Sequence, residues 1–182
     1  MGMLQHYAGQ ELIWESCRTA KRTYELRAGD QTLATLTQPS AWNQRRIASS
    51  DEGTFTLARI GFFKQRIVIA DATSNAEVAN MPPSGWSGKG TLTLPDGRTY
   101  HWRKSGFWGT KWTWLDSAEQ PLMSFKQIGG FRARCAVTIE PAAASDPHLA
   151  LLAQVGWFLM LLAQADAANS AAASSVAVTA ST

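Results

Sequence analysis

The chain has 182 residues, 45% hydrophobic and 17% charged, a balance that supports one packed domain and excludes general disorder. Its formal charge of +3 and pI of about 9.1 are too mild to identify a nucleic-acid binder, which is ranked last among the partners considered. Cys17 and Cys135, with only His6, His101 and His148 beside them, offer no metal-ligand spacing; no metal and no cofactor is expected.

Residues 1–10 read as an N-terminal extension. They hold no basic segment followed by an apolar run, so no signal peptide is expected. Gly2 invites a myristoylation reading, but His6 occupies the position that needs Ser or Thr. The cysteines read as buried free thiols, with a single disulfide as the alternative. A reducing, cytoplasmic setting follows.

From residue 11 to residue 140 the chain alternates apolar and polar residues in short runs, as in Tyr24/Leu26, Phe55/Leu57, Leu92/Leu94, Tyr100/Trp102, Trp112/Trp114 and Cys135/Val137/Ile139. This period of two is the signature of strands with one apolar face. The pattern predicts twelve strands, at 11–17, 22–27, 32–37, 44–49, 54–59, 66–71, 76–81, 89–94, 98–103, 111–115, 121–127 and 134–140. Turn residues separate them, and Asp96-Gly97 between two alternating runs is the strongest hairpin signal. No helical period interrupts the series, which argues against a parallel βαβ fold.

The character changes at Pro141. Residues 141–145 read as a linker, Asp146 as a helix N-cap and Pro147 as the first helical residue. The helix predicted over 147–165 carries no formal charge and is apolar on all sides, so it belongs in a core or in lipid. The remainder, 166–182, is Ala, Ser, Thr, Val and Asn after Asp166 and reads as a disordered tail.

A membrane span of this length would reach about 28 Å, close to a bilayer core. Its flanks argue otherwise: Asp146 and Asp166 bracket it, Gln154 and Gln164 lie within it, and no Lys or Arg follows Arg134. The strands offer a better place. Eight make a barrel that side chains alone fill, whereas twelve leave a void that a helix of about 10–12 Å diameter occupies. The favoured architecture is mainly β: a closed antiparallel barrel over 11–165 around a buried C-terminal helix. Leu151, Leu152, Val155, Gly156, Trp157, Phe158, Leu159 and Leu162 form the plug, with Gly156 admitting a bulky inward Trp or Phe from a strand.

Twelve short strands and one C-terminal hydrophobic helix resemble the tubby-like superfamily: the tubby C-terminal domain, the phospholipid scramblases and the LURP-one-related proteins. The local traces are Tyr24-Glu25-Leu26-Arg27 before Gly29-Asp30, Leu94-Pro95-Asp96-Gly97-Arg98 leading into Tyr100, and the apolar run at 149–162. The resemblance implies a helix threading a closed barrel, and a link to anionic phospholipid or phosphoinositide through surface basic residues. It does not extend to the acidic calcium-binding segment of scramblases, because 142–147 offers only Asp146, nor to a cysteine-rich N-terminus.

Three segments join glycine, aromatic and basic residues: Gly61-Phe62-Phe63-Lys64-Gln65-Arg66, Gly106-Phe107-Trp108-Gly109-Thr110-Lys111 with Lys104 just before it, and Gly129-Gly130-Phe131-Arg132-Ala133-Arg134. Aromatic tips at headgroup level with nearby cations suit an anionic membrane surface. The candidate contacts are Phe62, Phe63, Lys64, Arg66, Lys104, Phe107, Trp108, Lys111, Arg132 and Arg134. The competing reading turns these aromatics into the barrel, with solvated Lys and Arg around them, and treats Trp112 and Trp114 as core or cross-strand partners.

No catalytic residues emerge. Gly85-Trp86-Ser87-Gly88 is not a nucleophile elbow, Gly88-Lys89-Gly90-Thr91 lacks the leading glycine and following helix of a P-loop, and His101 has no visible partner for base chemistry. The leading expectation is a non-enzymatic lipid-binding or interaction module, with an unidentified protein partner also open. The alternatives are a tail-anchored membrane protein with a soluble β domain, and a small-molecule-binding barrel.

Overall fold

The computed structural model describes residues 2–40, 44–61, 65–82, 88–105, 111–129 and 133–179, with side chains as far as 171. All twelve expected strands form, with ends within two residues of the sequence reading. They are β1 (Glu11–Ser16), β2 (Thr23–Ala28), β3 (Gln31–Thr37), β4 (Arg46–Ser50), β5 (Gly53–Ile60), β6 (Arg66–Asp71), β7 (Glu77–Met81), β8 (Lys89–Thr93), β9 (Thr99–Ser105), β10 (Lys111–Leu115), β11 (Pro121–Ile128) and β12 (Arg134–Ile139). Each pairs antiparallel with its neighbours in sequence, and β1 pairs with β12 to close the barrel. The thinnest seam is β7–β8, where Asn80 opposite Thr93 is the register pair.

The alternation in sequence is the alternation in burial. Leu12 and Trp14 of β1, Trp112 and Trp114 of β10, and Cys135, Val137 and Ile139 of β12 all turn inward. Asp96-Gly97 makes the expected β8–β9 turn: Gly97 takes φ +86, and the Asp96 carboxylate accepts the Arg98 N–H at 3.0 Å.

The barrel encloses the helix α1 (Leu149–Thr179). Its apolar residues from Leu149 through Leu162 are buried around the whole circumference. Gly156 works as expected, and the inward ring is Phe125 of β11. A Cβ at 156 would stand 2.5 Å from the Phe125 ring, so any larger residue forces the wall or the helix to move. Trp157 stacks on Trp14 with centroids 6.1 Å apart, and the buried Trp114 indole donates to the Leu152 carbonyl at 2.9 Å. The wall is uneven. Trp102, Trp112, Trp114 and Phe125 form one aromatic cluster on β9–β11, while β3 and β4 across the barrel present Ala34 and Ala48. Small residues there leave room for the helix.

Four expectations are corrected. The helix begins at Leu149, not Pro147, because Pro147 and His148 form a preceding turn. It continues to Thr179, so the reading of 166–182 as a disordered tail fails through residue 179. The buried segment supplies the costly nucleus, and the Ala-rich sequence after it propagates the helix cheaply. The N-terminal extension is structural: Met3–Tyr7 is a 3-10 helix whose Leu4 is fully buried in the core. Finally, Cys135 is buried but Cys17 is half-exposed; both are free thiols.

Candidate functional site

Strands that alternate in direction send their connections alternately to two ends. The β2–β3, β4–β5, β6–β7, β8–β9 and β10–β11 turns share one end with the start of α1. The β1–β2, β3–β4, β5–β6, β7–β8, β9–β10 and β11–β12 connections share the other, where α1 leaves the barrel.

The helix-start end is acidic and sealed. It carries Glu11, Asp30, Asp51, Glu52, Asp71, Glu77, Asp96, Asp116, Glu119, Glu140 and Asp146; Arg27 and Arg98 lie among them, and Arg103 and Arg66 reach Glu119 and Glu77 from along the wall. Asp146 lies three residues before Leu149, short of the N-cap position expected of it; it accepts the His148 N–H at 2.8 Å just ahead of the helix and the Tyr100 hydroxyl at 3.1 Å. Burial, then the Asp146 charge, raises the Tyr100 pKa and keeps the phenol protonated as a donor. Burial also lowers the His148 pKa, although Asp146 opposes that shift.

A closer cap escaped the sequence reading. Glu52, in the β4–β5 turn, accepts the Ala150 N–H at 3.4 Å, and its partial burial pushes its pKa up to about 7. Asp51 beside it accepts the Met3 N–H at 2.5 Å, which ties the N-terminal 3-10 helix over this end. Negative groups at a helix N-terminus meet unpaired N–H donors and the positive end of the dipole. These side chains are therefore committed to holding α1. A surface cleft of about 370 Å³ lies beside them, lined by Gly2, Gln5, Asp51, Glu52 and Pro147.

The helix-exit end is cationic. Arg18, Lys21 and Arg22 lie in the β1–β2 connection. Arg45 and Arg46 lie before and at the start of β4, Arg59 and Arg66 flank the β5–β6 connection, and Lys89 starts β8. Lys104 and Lys111 flank the β9–β10 connection, and Lys126 and Arg134 lie near the β11–β12 connection. Glu15 of β1 pairs with Arg134 at 3.3 Å, and Asp166 on the departing helix receives Arg59 in two hydrogen bonds of 3.0 and 3.1 Å. Two like-charged pairs stand directly opposite each other across the sheet, Lys89 with Arg103 and Lys111 with Lys126. Such opposition costs folding stability. Arg103 is relieved by an ion pair with Glu119.

Of the candidate membrane contacts, Arg66, Lys104, Lys111 and Arg134 are described, and all four are exposed at this one end. The Lys104 ammonium lies 5.2 Å from the Trp112 ring centroid. Phe62, Phe63, Lys64, Phe107, Trp108 and Arg132 fall outside the described residues. The strand ends flanking all three of their segments nevertheless share this rim. Lys89, Lys126 and the Arg18-to-Arg22 group were not among the candidate contacts. Assigning every Lys and Arg to an odd-to-even connection would have found them.

Trp112 and Trp114 belong to the core, and His101 pairs across the sheet with Thr91 at 3.2 Å. Burial pushes the Cys135 thiol up to about 12. The helix is long and apolar enough to cross a membrane over Leu149–Ala171, but 78% of its most apolar stretch is buried inside the barrel. Comparison of the chain with protein-family models, with curated proteins and with solved structures returned no match.

Proposed function

We propose that this protein is a non-enzymatic, tubby-like barrel module that docks its cationic end on an anionic phospholipid surface, phosphoinositide-bearing membranes included. The separation of charge carries the reading. A chain with a net charge of only +3 places most of its described cations toward one end and most of its described carboxylates toward the other. Near an anionic leaflet each basic residue contributes about 1 kcal/mol, so an end-on approach is favoured and the opposite orientation is repelled.

Three further observations support it. The three segments of glycine, aromatic and basic residues connect strands at the cationic end. The Lys111–Lys126 opposition costs stability for no folding gain, as expected of charges kept for an outside partner. The resemblance to the tubby-like superfamily, with its helix-threaded barrel and lipid-binding members, points the same way.

Flotation tests the proposal. The full chain should float with phosphatidylserine or phosphoinositide vesicles at low salt and be released by 0.5 M salt, where the Debye length is only about 4–5 Å. It should remain unbound with phosphatidylcholine. Folded protein that ignores anionic vesicles at low salt, or binds both vesicle types equally, would reject the reading.

A further inference from the structure

Resting on that reading, we propose that α1 beyond the barrel is a stalk that enters the bilayer when the cationic end docks. The helix runs without interruption from Leu149 to Thr179, and the barrel buries it only through Leu162. Ala165 is exposed, as are 167–171. At 1.5 Å per residue, 167–179 extends the helix about 20 Å beyond the point where Arg59 holds Asp166. No proline follows Pro147, so the sequence supplies none of the usual cause of a sharp kink.

This creates a steric condition. If the stalk stood on the headgroups, it would hold the cationic end about 20 Å from the lipid charge. That exceeds two Debye lengths at physiological ionic strength, and most of the attraction would be screened. Docking and penetration are therefore coupled. The headgroup region is about 5–8 Å thick on each side, so a stalk of this length reaches about halfway through the hydrocarbon core.

The stalk's chemistry permits this. No charged residue follows Asp166, and Asp166 is neutralised by Arg59 at the level of the rim. A continuous helix pairs its own backbone groups up to the last turn, which leaves only the terminal carbonyls for lipid to accommodate. The Ser170 hydroxyl bonds back to the Asp166 carbonyl at 2.9 Å, which satisfies it without water. Asn169 comes early, at headgroup depth, whereas Val176-Ala177-Val178 falls at the far, apolar end of the sequence.

The test uses the full chain with Cys17→Ser, so that Cys135 is the only native thiol and is buried. Ala168→Cys or Ala177→Cys then carries an environment-sensitive nitrobenzoxadiazole label. On phosphatidylserine vesicles the label at 177 should shift to the blue, brighten at least twofold and be quenched by nitroxide in the acyl chains. The label at 168 should respond to headgroup nitroxide instead. Ala177→Glu should weaken vesicle binding several-fold. Flotation with a silent label at 177 and no loss for Ala177→Glu would overturn the inference while leaving the docking reading intact. Failure of the parent chain to float would overturn the docking reading, and the inference with it.

Discussion

The two ends of this barrel are built for different tasks. At the helix-start end, polar side chains turn toward the protein: Asp146, Tyr100, Glu52 and Asp51 spend their hydrogen bonds on α1 and on the N-terminal 3-10 helix. At the helix-exit end, Lys111 and Lys126 turn toward solvent and oppose each other across the sheet. One end spends its chemistry on folding, while the other accepts a folding cost. Substitutions at the first should therefore change stability and leave vesicle binding alone, and substitutions at the second should do the reverse.

The largest expected effect is at the sealed end. Leu4 is fully buried, so Leu4→Ala should cost about 2–5 kcal/mol in a thermal or urea melt. Vesicle binding measured well below the melting transition should not change. A variant that melts with the parent would mean that the N-terminal turn is not part of the core, and the two ends would lose their contrast.

Next comes the exit end. Replacing Lys104, Lys111 and Arg134 together by Ala removes three exposed cations. At about 1 kcal/mol each, vesicle affinity should fall on the order of 100-fold, with the melt little altered. Glu11→Gln with Glu140→Gln changes net charge at the far end and should barely affect binding. Equal effects per unit charge at both ends would show that net charge matters and the rim does not.

Tyr100→Phe is smaller. It removes the hydroxyl that Asp146 accepts, and the half-buried carboxylate loses a donor. The expected cost is about 1–2 kcal/mol in the melt, with no change in flotation. A neutral result would mean that water replaces the hydroxyl at this site.

The difference between the ends also explains what the sequence made legible. The strands were readable because alternation is local: Trp112 and Trp114 declare their face within five residues. The plug was readable because a helix with no polar face needs an enclosure, and Gly156 anticipated the close approach of Phe125. Glu52 as a cap was not readable, since it lies 98 residues from Ala150 and an Asp-Glu turn normally faces water. The cationic end was only partly readable. Lys89 and Lys126 join Arg66 and Arg134 through the alternation of strand direction, a property of the closed barrel as a whole. The helical run past Asp166 was missed because composition was weighed without the nucleus that precedes it.

Glu52→Gln gives the finest test of the sealed end. Burial raises the carboxyl from an ordinary 4.5 to about 7, against the opposing pull of the Ala150 N–H. A raised pKa means that the folded state prefers the protonated acid. Its contribution is fully present below about pH 4.5 and is lost as pH rises toward 7. The carboxyl retains solvent contact, so after discounting for screening the loss comes to about 1–2 kcal/mol. The amide of Glu52→Gln stays neutral and still offers an oxygen to Ala150. The variant should therefore match the parent near pH 4.5 and exceed it by that amount above pH 7, in urea melts taken across the range. Parallel stability curves for the two proteins would mean that Glu52 is solvated in the folded state and does not hold the Ala150 N–H.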